Sequence, residues 1–167
     1  MFSSLHKLIR ARKKVKWHWL PLLTAWYLFL VILKNWWAMT TPEKSLEEYN
    51  IIYFLVYGHL MIILYLLVSV VLPDKIPSKG MDLKKYYFKH HRYLWSLMAA
   101  VGVVSILISS AYQVLGHEPL NWPNIIAFFV FLSITMLLII SKKYWLHAMV
   151  LCLFTLITIL EITQSIT

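Results

Sequence analysis

The ionisable side chain that lies deepest in an apolar run of this sequence is His59, within residues 49–73, a stretch free of Asp, Glu, Lys and Arg. If the run is helical, His59 lies about 12 Å into it. A neutral imidazole there can hydrogen-bond a neighbouring helix, take up a proton or bind a metal. A helix–helix hydrogen bond is the simplest interpretation of His59. The lining of a pore or proton path and haem or metal ligation are its alternatives.

Two later apolar runs carry small, hydroxylated or amide side chains at helical spacing. One stripe consists of Gly102, Ser105, Ser109 and Gln113, and the other includes Thr155 and Thr158. Residues at these spacings share a helix face. Such stripes let helices approach closely in lipid. They would line a water-filled path if several copies of the chain assembled around it.

Basic side chains are interleaved with aromatic and aliphatic ones in two segments, residues 1–16 and 82–92. The candidate cations are Arg12, Lys13, Lys14, Lys84, Lys85, Lys89 and Arg92. This pattern is typical of segments that lie at an anionic headgroup layer, and it would also suit a cytoplasmic protein partner. Because the charge flanks apolar runs, we do not expect nucleic acid to be the ligand.

Catalytic and metal-binding patterns are not visible in the chain. It has four glycines and no Gly-rich phosphate loop, nucleophile elbow or HExxH motif. The adjacent His90 and His91 diverge by about 100° on a helix and do not form a ready chelate. We therefore expect no enzyme, no bound metal and no cofactor. A haem or redox subunit remains a remote alternative.

The elements that must position these residues follow from composition. Of the 167 residues, 60% are apolar and 14% charged, whereas average soluble domains have about 45–50% and about 25%. This composition excludes a soluble domain and a disordered chain, and the single Cys152 excludes a disulfide scaffold. We predict an all-α, polytopic transmembrane helical bundle with five spans. The spans are about 17–37, 49–72, 93–115, 122–141 and 144–163.

Residues 1–16 are then a basic amphipathic N-terminal segment, and residues 17–167 a single transmembrane domain. Asp82 can cap a third helix that begins well before its span. Only Ser141, Lys142 and Lys143 separate the last two spans, which predicts a tight antiparallel pair.

Charge predicts the orientation of the bundle. With five spans, one face carries 14 basic and 2 acidic residues, and the other carries 2 basic and 5 acidic residues. The positive-inside rule places the first face in the cytoplasm. The N-terminus is then inside and the C-terminus outside.

One residue pattern adds a resemblance. It comprises Arg12 to Trp19, Trp36-Trp37-Ala38, Leu64-Tyr65-Leu66-Leu67, Leu72-Pro73-Asp74, Asp82-Leu83, Tyr86-Tyr87-Phe88 and Arg92. Over roughly residues 10–110 the chain resembles a family of small, uncharacterised bacterial multi-pass membrane proteins. The resemblance implies a bacterial inner (plasma) membrane location and no particular activity.

Two functions compete at this stage. The first, slightly favoured because five short-looped helices enclose little by themselves, is a homo-oligomeric channel or an envelope sensor or effector. The second is a structural or anchoring subunit that recruits a cytoplasmic partner through its basic face. Membrane lipids with anionic headgroups are expected at that face in either case.

Overall fold

The computed structural model describes residues 2–40, 51–115, 119 and 121–164, and these residues are mostly helical. The helices are α1 (Phe2–Arg10), α2 (Trp19–Thr40), α3 (Ile51–Val71), α4 (Leu83–Leu115), α5 (Trp122–Ile140) and α6 (Tyr144–Gln164). A 3-10 turn (Arg12–Lys14) and two short strands, β1 (Val15–Lys16) and β2 (Met81–Asp82), join the N-terminal region to the α3–α4 connection. This architecture agrees with the all-α class.

Within the described parts of the chain, four helices are long and apolar enough to cross a membrane. The candidate spans are Trp19–Trp37, Leu83–Ser110, Trp122–Ile140 and Tyr144–Gln164. They are consistent with a multi-pass membrane protein. α3 lies in the predicted second span. Its apolar part, Tyr57–Val71, is shorter than any of the four candidate spans. The span at residues 49–72, the total of five spans and the orientation therefore stay predictions.

The outward faces of the candidate spans are strongly apolar. Ile126 and Phe129 on α5, Leu107 on α4 and Leu156 on α6 are each about 60% exposed. Water disfavours contiguous apolar surface on this scale, whereas hydrocarbon tails accept it. The exposed apolar side chains of α4, α5 and α6 are thus consistent with a surface that faces lipid.

Contacts between helices show that successive long helices run in opposite directions. The Tyr86 hydroxyl at the start of α4 donates to the Val70 carbonyl at the end of α3, at 3.0 Å. The ring centroids of Trp19 and Tyr144 lie 6.0 Å apart, so α2 and α6 begin together. We call the end of the bundle at which α2, α4 and α6 begin the basic end.

At the opposite end, Lys34 of α2 forms an ion pair with Glu161 of α6. The Gln113 side-chain oxygen accepts the Asn121 backbone N–H at 3.0 Å and closes the α4–α5 connection. Most of the acidic residues assigned to this end from the sequence, namely Glu43, Glu47, Glu48 and Glu118, lie outside the described residues.

The predicted tight pairing of the last two spans is wrong. α5 packs chiefly on α4, and α6 packs chiefly on α2. The buried residues of α6 form one stripe, which consists of His147, Leu151, Phe154, Thr155 and Thr158. The short connection brings α5 and α6 together only at the turn, where the Ser141 backbone is extended. Which face each helix buries then decides its neighbour.

The basic end is closed by the N-terminal region. Leu8 of α1 is fully buried, and the Ser4 hydroxyl donates to the Asp74 carboxylate at 2.6 Å. β1 and β2 pair in parallel, with Val15 opposite Met81. Gly80 makes the turn into β2 with φ +87°, a conformation that glycine adopts without strain. The described part of the N-terminal segment, residues 2–16, is therefore packed on the bundle.

As predicted, Asp82 caps α4, because its carboxylate accepts the Lys85 backbone N–H at 3.1 Å. This hydrogen bond lowers the pKa of Asp82. Burial raises the pKa by less, so it stays below its ordinary value. α4 consequently begins ten residues before the predicted span at residue 93.

Candidate functional site

A buried polar cluster lies near the basic end, where α4, α6 and the α5–α6 turn meet. We define the histidine cluster as Tyr87, His91, Trp95 and His147. All four side chains are at most 3% exposed. Tyr87, His91 and Trp95 are at i, i+4 and i+8 on α4, so they share one face. His147 faces them from α6.

Hydrogen bonds fix the tautomer of His147. Its Nε2 lies 2.9 Å from the Ser141 carbonyl oxygen, which can only accept, so Nε2 carries the proton. Nδ1 of the neutral ring is then an acceptor for the Tyr87 hydroxyl at 3.0 Å. The Tyr87 oxygen in turn accepts the Trp95 indole N–H at 3.1 Å. The chain of donors and acceptors is complete from Trp95 to Ser141.

His91 is the exception in this cluster. Its Nδ1 donates to the Phe88 carbonyl at 2.7 Å, which leaves Nε2 as a lone-pair acceptor. Within the described residues, this buried Nε2 has no hydrogen-bond partner. An unpaired buried polar atom costs about 1–3 kcal/mol. The His91 and His147 ring centroids are 5.7 Å apart.

Aromatic rings surround the two imidazoles. The Phe88 ring lies edge-on to His147 at 5.3 Å, and the Trp95 ring lies 6.1 Å from it. Across the parts of the chain that the structure describes, no three His, Cys, Asp or Glu residues come together as a metal site. The hydrogen bond between Tyr87 and His147 links α4 to α6, and the histidine cluster forms a polar junction between them.

His59, the leading sequence candidate, lies elsewhere. It is exposed on α3, and its Nδ1 is 2.7 Å from the Leu55 carbonyl of its own helix. The ring therefore bonds within α3. Its role as a pore or polar-interior residue stays a prediction.

The α4 stripe has several environments. A Cβ added to Gly102 would lie 2.5 Å from Cε1 of Phe131, so this glycine sits where α5 approaches α4 closely. Ser105 is exposed, Ser109 is half-buried, and Gln113 bonds the α5 N-cap residue. Only the first and last of these positions support helix packing directly.

The α6 hydroxyls are buried and bonded within their own helix. Thr155 donates to the Leu151 carbonyl at 2.7 Å, and Thr158 donates to the Phe154 carbonyl at 2.9 Å. A hydroxyl bonded to its own helix can sit in an apolar interface at low cost. These residues therefore act as small packing positions in the single chain.

The seven candidate cations are all exposed. Arg12, Lys13 and Lys14 form the 3-10 turn before β1. Lys85, Lys89 and Arg92 follow one face of α4 at i, i+4 and i+7. Lys84 instead extends over the Tyr144 ring, with Nζ 4.7 Å from its centroid.

Sequence reasoning missed the histidine cluster because its two halves are 60 residues apart in the chain. One signal was available. Tyr87, His91 and Trp95 recur every four residues on a helix that carries basic residues on its other faces. That pattern indicates a polar aromatic face in need of a partner, but it does not say which helix supplies it.

No protein-family model, curated protein or solved structure matches the chain. The resemblance to small bacterial multi-pass membrane proteins is therefore supported only by the presence of four long apolar helices.

Proposed function

We propose that this protein is a non-enzymatic, multi-pass membrane anchor whose basic end recruits an acidic cytoplasmic protein. The proposal rests on one observation. The β1–β2 pairing joins two basic segments, more than sixty residues apart in the chain, into one surface. Charge on a rigid support gives a partner a defined electrostatic target.

We define the basic platform as Arg12, Lys13, Lys14, Lys75 and Lys79. All five side chains are exposed. A Cβ on Gly80 would lie 2.8 Å from the Lys14 carbonyl oxygen, so the two basic segments touch at the backbone. Lys14 and Lys79 thus lie on adjoining segments, and Lys75 precedes Lys79 by four residues in the chain.

Nearby carboxylates do not neutralise the platform fully. Asp74 is bound by the Ser4 hydroxyl, and Asp82 caps α4 while lying 4.0 Å from Lys16. Both carboxylates are committed to holding the basic end together. A net positive surface remains for an acidic partner.

The test compares proteins that copurify with the full chain after crosslinking in cells. Replacing the five platform residues by Gln should abolish capture of the partner and leave the abundance of the protein unchanged. The matched control replaces Lys85, Lys89, Arg92, Lys142 and Lys143 by Gln, with the same loss of charge. If both variants capture the same partners as the wild type, recruitment by the platform is refuted.

The location proposed for this function is the bacterial inner membrane, with five spans and the N-terminus inside. The alternating directions of α2 to α6 support an odd number of crossings. Tags at residues 1 and 167 should react with a membrane-impermeant reagent from opposite sides. Reaction of both tags from the same side would overturn this topology.

The homo-oligomeric channel is the weaker proposal. Thr155 and Thr158 donate hydrogen bonds within α6, and α5 packs closely against α4 at Gly102. These stripe residues are thus used within one chain. Ion flux into protein-containing liposomes would revive the channel, and a Soret band in the absorption spectrum would revive the haem alternative.

A further inference from the structure

A second cationic feature, separate from the basic platform, surrounds Tyr144 at the start of α6. Besides Lys84 over its face, the Tyr144 ring has His18 at its edge, with centroids 5.4 Å apart. The Trp19 ring also meets it edge-on at 6.0 Å. We call His18, Trp19, Lys84 and Tyr144 the Tyr144 cluster.

Further cations adjoin this cluster. Lys142 and Lys143 immediately precede Tyr144, and both are exposed. Burial first, and then the charge of Lys84, lower the pKa of His18, whereas Asp82 opposes them. His18 therefore adds little positive charge at neutral pH. Lys84, Lys142 and Lys143 therefore supply the positive charge beside Tyr144.

The Tyr144 cluster lies at the edge of the apolar surface. Trp19 in the cluster and Trp145, the residue after Tyr144, are each about half exposed. Along α6, the next exposed large apolar side chain after Trp145 is Met149, about one turn further. Exposed tryptophans next to an apolar helix face are typical of the headgroup layer of a bilayer. The three lysines thus lie where lipid phosphates would be.

We propose that Lys84, Lys142 and Lys143 bind the phosphate of an anionic phospholipid in the leaflet at the basic end. Trp19 and Tyr144 form the aromatic wall of this site, against which the glycerol and upper acyl chains pack. A lipid fits better than a soluble acidic protein, because the cluster is continuous with the lipid-facing surface of α6. The site does not depend on partner recruitment by the platform.

The test measures lipid binding to the purified full chain in neutral detergent by native mass spectrometry. The variant Lys84→Gln/Lys142→Gln/Lys143→Gln should bind phosphatidylglycerol at least about tenfold more weakly than the wild type. The matched control, Lys13→Gln/Lys14→Gln/Lys75→Gln, loses the same charge from the platform and should bind within about twofold of the wild type. Phosphatidylcholine should bind all three proteins equally and weakly.

Three results would overturn the proposal. They are wild-type binding by the cluster variant, equal weakening by both variants, and equal thermal stabilisation of the wild type by inorganic phosphate alone. Circular dichroism checks that the variants are folded. If the triple variant is not, Lys142→Gln/Lys143→Gln carries the same test, because both side chains are exposed. Unchanged partner capture by the platform variant, together with the lipid-binding results expected above, would refute the proposed function and leave this site intact.

Discussion

A pair of glycine substitutions tests the packing of α4 on α5 most directly. Gly102→Ala places a Cβ 2.5 Å from Cε1 and 3.0 Å from Cδ1 of Phe131. Carbon atoms prefer separations of about 3.5–4.0 Å, so the ring must move by about 1 Å or more. The ring is not free to do so at no cost, because it stacks on Phe154 with centroids 5.5 Å apart.

The magnitude follows from two opposing effects. Alanine favours a helix interior over glycine by about 0.5–1 kcal/mol, whereas overpacking costs about 1–3 kcal/mol. Gly58→Ala is the matched control, since no atom lies within 4 Å of an added Cβ there. Both variants gain the same helix preference, so their free energies of unfolding should differ by about 1–3 kcal/mol, the cost of the clash.

The assay is unfolding of the purified protein in mixed micelles, by denaturing detergent and by heating. Gly58→Ala should raise the midpoint, and Gly102→Ala should fall below it by the amount above. Adding Phe131→Leu to Gly102→Ala should recover much of the loss, because the smaller side chain makes room. Equal stabilisation by both alanine substitutions would refute the close approach of α4 and α5.

Three further predictions concern the basic end. Tyr87→Phe should lower the free energy of unfolding by about 2–4 kcal/mol, because Trp95 and His147 each lose a buried partner; a loss below 1 kcal/mol would contradict the hydrogen-bond chain. Gly80→Ala should destabilise by about 1–3 kcal/mol in the same assay, because φ is +87°; an unchanged midpoint would count against that turn. Ionised Asp82, whose pKa is lowered, stabilises the fold above the unfolded pKa of about 4, and this contribution is lost as pH falls through the lower folded pKa. Asp82→Asn should therefore flatten the decline in stability below pH 4, and parallel profiles would exclude the effect.

The helices themselves could be predicted from local sequence. The apolar runs around His59, Ser105 and Thr155 are long and free of charge, and a chain in lipid must satisfy its backbone within each segment. The capping of α4 by Asp82 could also be predicted, because the carboxylate and the N–H that it accepts from are only three residues apart in the chain. Such features depend on neighbours in the chain, which the sequence displays.

The assignment of partners could not be predicted in this way. Tyr87 and His147 meet through long side chains that reach from α4 to α6, and most residues on every face of α6 are apolar. With little polar contrast around a helix, the sequence does not single out the buried side. The same uniformity explains why the predicted α5–α6 pair was wrong and why His59 drew attention ahead of His147.

The sequence by itself thus determined that the chain forms long apolar helices and where its positive charge is concentrated, because both depend on composition along short stretches. Only the tertiary structure decided that residues 12–14 and 79–80 form one surface, that Gly102 admits Phe131, and that two histidines share a buried junction. Those pairings are set by the free energy of packing whole helix faces together, to which each residue contributes little.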